Sequence, residues 1–251
     1  MSRVDLIILI VVFFVTSVVG VVTGSNSLIA VPVMFQVGVE PRVAIATNMF
    51  ALVFMSVGGT IPFLQRGAID VKKISPLIVL TVVSSAIGAL LVGLVSSAGL
   101  RLIVSVSMIV VALFTLLRPR AGVEEAEAGQ YATAITYAIT FALGIYGGLF
   151  SGGYVTLLTA AYVGIYGMKY GEAVGSTKLI NVFSSTVATA VFMWQGLVDY
   201  RIGLILGAAM FAGAYVGAHY ATKLDDVWLR RIFLTTVFLL AAKTMIDLLP
   251  H

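Results

Sequence analysis

The stretch GSTKLINVFSS, residues 175–185, places Lys178, Asn181 and Ser185 at positions i, i+3 and i+7, on one face of a helix, with Thr177 and Ser184 on its flanks. The neighbouring residues are apolar enough to lie in lipid, where a lysine near a helix centre is disfavoured by about 2.5–3.5 kcal/mol. A charge kept at that depth reads as functional, and one ammonium among hydroxyls and amides is a counter-charge for an anion, not for a cation. At 129 residues earlier the chain has Met49, preceded by Thr47 and Asn48, so the polar neighbours recur there without the charge. The competing expectation is that Lys178 snorkels to the membrane surface, or pairs with Glu172 on a partner helix.

Two other stretches carry the same kind of chemistry. GVVTGSNSL (20–28) and GIYGGLFSGGYVT (144–156) interrupt apolar runs with glycine and small polar residues. Irregular backbone at membrane depth is tolerated only when buried in protein or facing a water-filled cavity. Its bare N–H groups, with the helix N-terminus that follows, form a concavity suited to an anion. The candidate ligand groups are Gly24, Ser25 and Asn26 in the first break, with Ser27 beside them, and Gly152 and Gly153 in the second. The alternative is that both are tight turns with glycines for close packing, and Gly144, Gly148 and Gly152, spaced by four, also form a packing face.

Other chemistries are not provided for. Cysteine is absent and the histidines His219 and His251 are isolated, which argues against a metal site. Asp70, Asp199, Asp225, Asp226 and Asp247 all fall at loops or helix ends, so no acidic proton relay is expected. There is no nucleophile motif, HExxH helix or Walker loop, and neither an enzyme nor a cofactor is expected. The basic residues are dispersed, which argues against nucleic acid as a partner despite the net charge of +4.

The elements that must position these groups follow from hydropathy. The chain is 60% hydrophobic and 10% charged over 251 residues, the composition of an all-α integral membrane protein. A spanning helix needs about 20 apolar residues. Eight stretches qualify, at roughly 4–22, 43–64, 74–95, 99–117, 131–150, 172–195, 202–222 and 229–249. Two shorter apolar pieces, 27–38 and 156–166, either span or re-enter. Arg3 stands before an apolar run with no small-residue cleavage site after it, so residues 1–22 are read as a retained first helix, not a signal peptide.

Shifted over itself by 129 residues, the chain brings Gly24 onto Gly153, Gly38 onto Gly167, Gly67 onto Gly196, Asp70 onto Asp199 and Gly88 onto Gly217. These are turn, loop and helix-contact residues, and their coincidence indicates a duplication. The halves are 1–117 and 131–251, joined by a solvated linker, 118–130, rich in glutamate and glycine. Each half holds about four spanning helices plus one short broken or re-entrant helix. If the short pieces cross or return as hairpin arms, nine basic residues share one side and five the other, counting all but Lys178. The positive-inside tendency then favours inverted halves with both termini outside. Paired broken helices of this kind are a transporter architecture.

TGSNSLIAVPVMFQVGVEPRVAIATN (23–48) and, less closely, SGGYVTLLTAAYVGIYGMKYGEAVGSTKLIN (151–181), with the loops RGAID (66–70) and QGLVD (195–199), resemble the sulfite exporter TauE/SafE family of membrane permeases over nearly the whole chain. Two departures stand out: Ser25-Asn26-Ser27 replaces a glycine triplet, and Met49 stands where a lysine is expected. The resemblance implies export of a sulfur-containing anion, such as sulfite or an organosulfonate, through the cell membrane. The expected substrate site is Lys178 as counter-charge, Asn181, Thr177, Ser185, Thr47 and Asn48 as neutral hydrogen-bonding groups, and Gly24, Ser25, Asn26, Gly152 and Gly153 at the breaks. The expected partners are a small anion and the lipid bilayer, with a homo-oligomer and a coupling ion both left open. Two other functions stay open at this stage, a channel for anions or small solutes and a membrane scaffold that transports nothing.

Overall fold

The computed structural model describes residues 2–24, 26–100 and 131–225, with scattered positions between 102 and 110 and between 227 and 235. Among them every long element is an α-helix: α1 (Arg3–Thr23), α2 (Asn26–Gln36), α3 (Pro41–Gln65), α4 (Val71–Val92), α5 (Ala132–Leu149), α6 (Tyr154–Gly164), α7 (Tyr170–Trp194) and α8 (Tyr200–Ala221). The spans expected at 99–117 and 229–249 and the linker 118–130 fall largely outside the described residues.

Helix starts follow local chemistry. Ser2 and Asp5 form a reciprocal capping box on α1, while Asp70 and Asp199 cap α4 and α8 by accepting the backbone N–H of Lys73 and Ile202. The offset seen in the sequence recurs in the backbone. Adding 129 to the bounds of α3 and α4 gives the bounds of α7 and α8. The described residues with positive φ are all glycines, and they form three pairs at that offset: Gly24 and Gly153, Gly38 and Gly167, Gly67 and Gly196.

Among the described residues five helices, α1, α3, α4, α5 and α8, are long and apolar enough to cross a membrane. The expectation of a further span at 172–195 is met in length by α7, with 25 residues, but not in hydropathy. Its polar face, which includes Thr177, Lys178, Asn181, Ser184 and Ser185, is buried against protein and needs no lipid compatibility. The chain is an integral, multi-pass membrane protein.

The short helices α2 and α6 have 11 residues each, a rise of about 16 Å against a hydrocarbon layer of about 30 Å. Both fold back along the helix before them. Asn26 at the start of α2 reaches Thr16 and Ser17 of α1, and Tyr162 near the end of α6 shares a hydrogen bond of 3.1 Å with Thr140 in α5. The undecided pieces are thus returning arms of two hairpins.

Glycines allow the tightest crossings. A Cβ on Gly88 of α4 would sit 1.9 Å from the Ile145 carbonyl oxygen of α5, and one on Gly217 of α8 would sit 2.2 Å from the Val18 carbonyl oxygen of α1. First-half α4 therefore packs on second-half α5, and second-half α8 on first-half α1. Polar ties close the two ends of the bundle. At one end Arg42 donates from Nε and Nη2 to Val95 O at 3.1 and 2.7 Å, and Gln195 lies beside Gly93. At the other, Lys73 and Glu172 form an ion pair of 3.0 Å, and Arg66 donates to Thr222 O.

Candidate functional site

The two breaks meet. Gly24 ends α1 with φ +72°, its N–H donating to Gly20 O at 2.8 Å, and a Cβ there would stand 2.7 Å from Thr156 N and from Val155 Cβ. Only glycine permits both the left-handed backbone and this approach of the two chain segments. The Thr156 hydroxyl donates to Thr23 O at 2.6 Å, and the hydroxyls of Ser27 and Ser151 are 2.7 Å apart. Each break is thereby fastened to the other half.

Lys178 comes up to this junction from α7. Its side chain is buried, at 2% exposure, and its Nζ donates to Gly20 O at 2.9 Å. The snorkelling alternative is excluded by that burial, and Glu172 is engaged by Lys73 instead. Among the described residues no carboxylate pairs with Lys178. A cavity of about 10 Å³ lies between α1, α2, α3, the second break and α7, and its polar lining is Gly24, Asn26, Ser27, Ser151, Lys178 and Asn181. That is room for on the order of one water molecule. Leu52, Met55 and Val155 supply the apolar lining.

The other expected site residues are placed differently. Ser25 lies outside the described residues. Asn48 stands one hydrogen bond behind the cavity, donating from Nδ2 to Ser27 Oγ at 2.9 Å. Thr177 is bound to Thr159 at 3.1 Å and to its own helix through Val174 O, and Ser185 bonds back to Asn181 O at 2.6 Å. Thr47 accepts from the Asp199 backbone N–H at 3.0 Å, so it fastens the loop before α8. Gly152 accepts from the Tyr146 hydroxyl, and Gly153 caps α6 with φ +78°. Asn48, Thr177, Ser185, Thr47, Gly152 and Gly153 shape the elements around the cavity and do not line it.

Ser151, Leu52, Met55 and Val155 were not expected. The repeat contained a signal for two of them: Leu52 is the mate of Asn181 and Val155 the mate of Asn26 at the 129-residue offset, and all four line the cavity. Each pair keeps the position and divides the chemistry, one member polar and one apolar. Asn181 is itself held by donating from Nδ2 to Ser56 Oγ at 2.7 Å, and Ser56 is the mate of Ser185.

Two returning helix hairpins are thus fastened tip to tip beside the buried Lys178 side chain in an all-helical membrane protein. The sulfite exporter TauE/SafE model matches residues 8–244, and the chain belongs to that family of membrane transporters. It is 26% identical over 234 residues to the probable membrane transporter protein ORF9 of Sinorhizobium sp, covering 93% of this chain and 90% of the relative. It is 27% identical over 240 residues to the probable membrane transporter protein YfcA of Escherichia coli (strain K12), covering 94% and 89%. A probable membrane transporter protein of Haemophilus influenzae is 24% identical over 242 residues, covering 96% and 95%.

Proposed function

We propose that the protein carries a small sulfur-containing anion, sulfite or an organosulfonate such as sulfoacetate, outward across the cell membrane, binding it at the junction of the two breaks. The observation that carries this reading is Lys178, a buried amine at the tips of both hairpins with no described carboxylate beside it. A buried charge without a counter-ion is costly, and an anion between Lys178, Ser151, Asn181 and the backbone of Gly24 would supply the partner that holds the amine protonated.

The transport cycle we propose is alternating access between two inverted halves. Support comes from the ends of the bundle. Ser2 and Arg3 share a cleft with Asp199 and Arg201, and Arg42 is tied to Val95 on the side where α7 ends. Lys73 is tied to Glu172 where α4 and α7 both begin. These ties support a course of α3 opposite to that of its mate α7, the relation that inverted halves would have. Arg66, Lys72, Lys73, Lys169 and Lys223 would then lie on the cytoplasmic side. Each negative charge leaving a cell gains about 2.3 kcal/mol per 100 mV of interior-negative potential, so export needs no coupled ion. The small size of the cavity, about 10 Å³, supports a carrier over a channel, which requires a continuous polar path.

The test is a thermal-shift screen of the purified chain against sulfite, sulfate, thiosulfate and sulfoacetate. A ligand at one hundred times its Kd stabilises the folded state by about 2.7 kcal/mol, and a chain unmoved by every one of these anions overturns the proposal. Saturable counterflow in reconstituted vesicles is expected; linear, non-saturating flux would select the channel.

A further inference from the structure

The hydrogen-bond directions around the cavity restrict which anion fits. Thr16 Oγ1 donates to Val12 O and Ser17 Oγ donates to Phe13 O, both at 2.6 Å. Each hydroxyl has one hydrogen, so toward Asn26 both can only accept. They do so from Asn26 Nδ2, at 2.7 and 3.1 Å. The orientation of this amide is therefore fixed by its neighbours: both N–H groups point at α1, and the oxygen is the branch left over. Asn26 is 3% exposed, lines the cavity, and its Oδ1 is buried with no hydrogen-bond partner.

The donors can be counted too. Asn48 Nδ2 donates to Ser27 Oγ at 2.9 Å, and the Ser27 and Ser151 hydroxyls share one hydrogen bond of 2.7 Å in which either can donate. Whichever way it runs, this pair keeps one hydroxyl hydrogen with no acceptor among the described residues. Lys178 has three N–H groups and spends one on Gly20 O. The residues lining the cavity thus bring the Lys178 amine with its spare N–H groups, one spare hydroxyl hydrogen on the Ser27–Ser151 pair, and one buried acceptor, Asn26 Oδ1, in need of a hydrogen. Sulfate, a dianion made only of acceptors, leaves Asn26 Oδ1 facing a like partial charge, and a buried polar group left unpaired is strongly disfavoured.

Resting on the reading of this cavity as the transport site, we propose that it selects a singly charged anion that carries its own hydrogen-bond donor, the donor being received by Asn26 Oδ1. Hydrogensulfite is such a species among oxyanions, and a hydroxyalkyl sulfonate among sulfonates. Asn26 is the specificity-determining residue, and Lys178 with the Ser27–Ser151 pair holds the anionic end.

Two ligands of near-equal size separate the terms: 2-hydroxyethanesulfonate and 1-propanesulfonate, in which a methyl replaces the hydroxyl. Titrated into the purified full chain, the hydroxyl compound is expected to bind about 10-fold tighter or more, the discrimination of a site built around a hydrogen bond, and sulfate more weakly than the hydroxyl compound. Asn26→Leu is expected to equalise the two sulfonates while keeping 1-propanesulfonate binding, whereas Lys178→Met weakens both alike. Equal affinities in the unaltered protein, or a preference for 1-propanesulfonate, overturn the donor requirement and leave the anion site standing. Failure of all three anions to bind sinks the site itself. The comparison in the unaltered protein decides the matter even if Asn26→Leu does not fold.

Discussion

The Gly20 carbonyl accepts twice, from the Gly24 N–H inside its own helix turn and from Lys178 Nζ. Removing the ammonium therefore orphans no carbonyl, and Lys178→Met installs the residue that its repeat mate Met49 already is. The variant is expected to keep its thermal midpoint while anion affinity falls about 10- to 100-fold, the equivalent of one charge-assisted hydrogen bond. Unchanged affinity, measured by titration, would take Lys178 out of the site. Gly24→Ala should behave in the opposite sense. Its left-handed backbone disfavours any Cβ by about 1–2 kcal/mol, and the Cβ would also push into Thr156 and Val155 of the other break. Loss of thermal stability is expected together with loss of anion binding, because the same contact holds the two breaks together.

Between elements, the controlling feature is how closely helix backbones approach. Gly88→Ala and Gly217→Ala each drive a methyl into a facing carbonyl oxygen, and each is expected to destabilise by about 1–3 kcal/mol or more. Gly164→Ala is the control, since nothing lies within 4 Å of a Cβ there; its midpoint in a denaturation series should not fall. The loop between α2 and α3 gives a pH-dependent tie. Partial burial pushes the Glu40 carboxyl up, but the Ser97 hydroxyl, the Val43 and Arg42 backbone N–H groups and the Arg42 charge outweigh it and hold the group below its ordinary 4.5. A depressed folded value means that this tie contributes fully above the ordinary carboxylate value and is lost as the pH falls through the folded one. Thermal midpoints measured from roughly pH 5 to pH 3 should fall further for the unaltered chain than for Glu40→Gln.

For the whole molecule, the proposed inverted arrangement predicts sidedness. The chain contains no cysteine, so single introduced cysteines report cleanly on access. Lys72→Cys and Lys223→Cys, both at exposed positions, should react with an impermeant thiol reagent from one face of the membrane, and Arg3→Cys and Arg201→Cys from the other. Labelling of all four from the same face would end the inverted reading while leaving membership of the family untouched.

Much of this was legible before any coordinates. Membrane helices show themselves because lipid forces long apolar runs, and the two breaks show themselves because glycine and small polar residues interrupt those runs at matching places. Lys178 stood out because a charge in such a run needs a reason. Those signals are local, or are carried by a fixed offset along the chain. What the sequence could not reveal is which side of a neighbouring helix each polar group faces. Thr47, Thr177 and Ser185 have the right chemistry and spacing for a binding face, yet the folded chain turns them to a loop, to α6 and to their own helix. Ser151 became a cavity residue only because the hairpin tips touch, bringing it to Ser27 across 124 positions of sequence. The sequence alone determined what the chain is made to sit in and where its helices fail; tertiary packing alone decided which hydroxyls and amides surround the ammonium, because that depends on contacts between segments that no local period records.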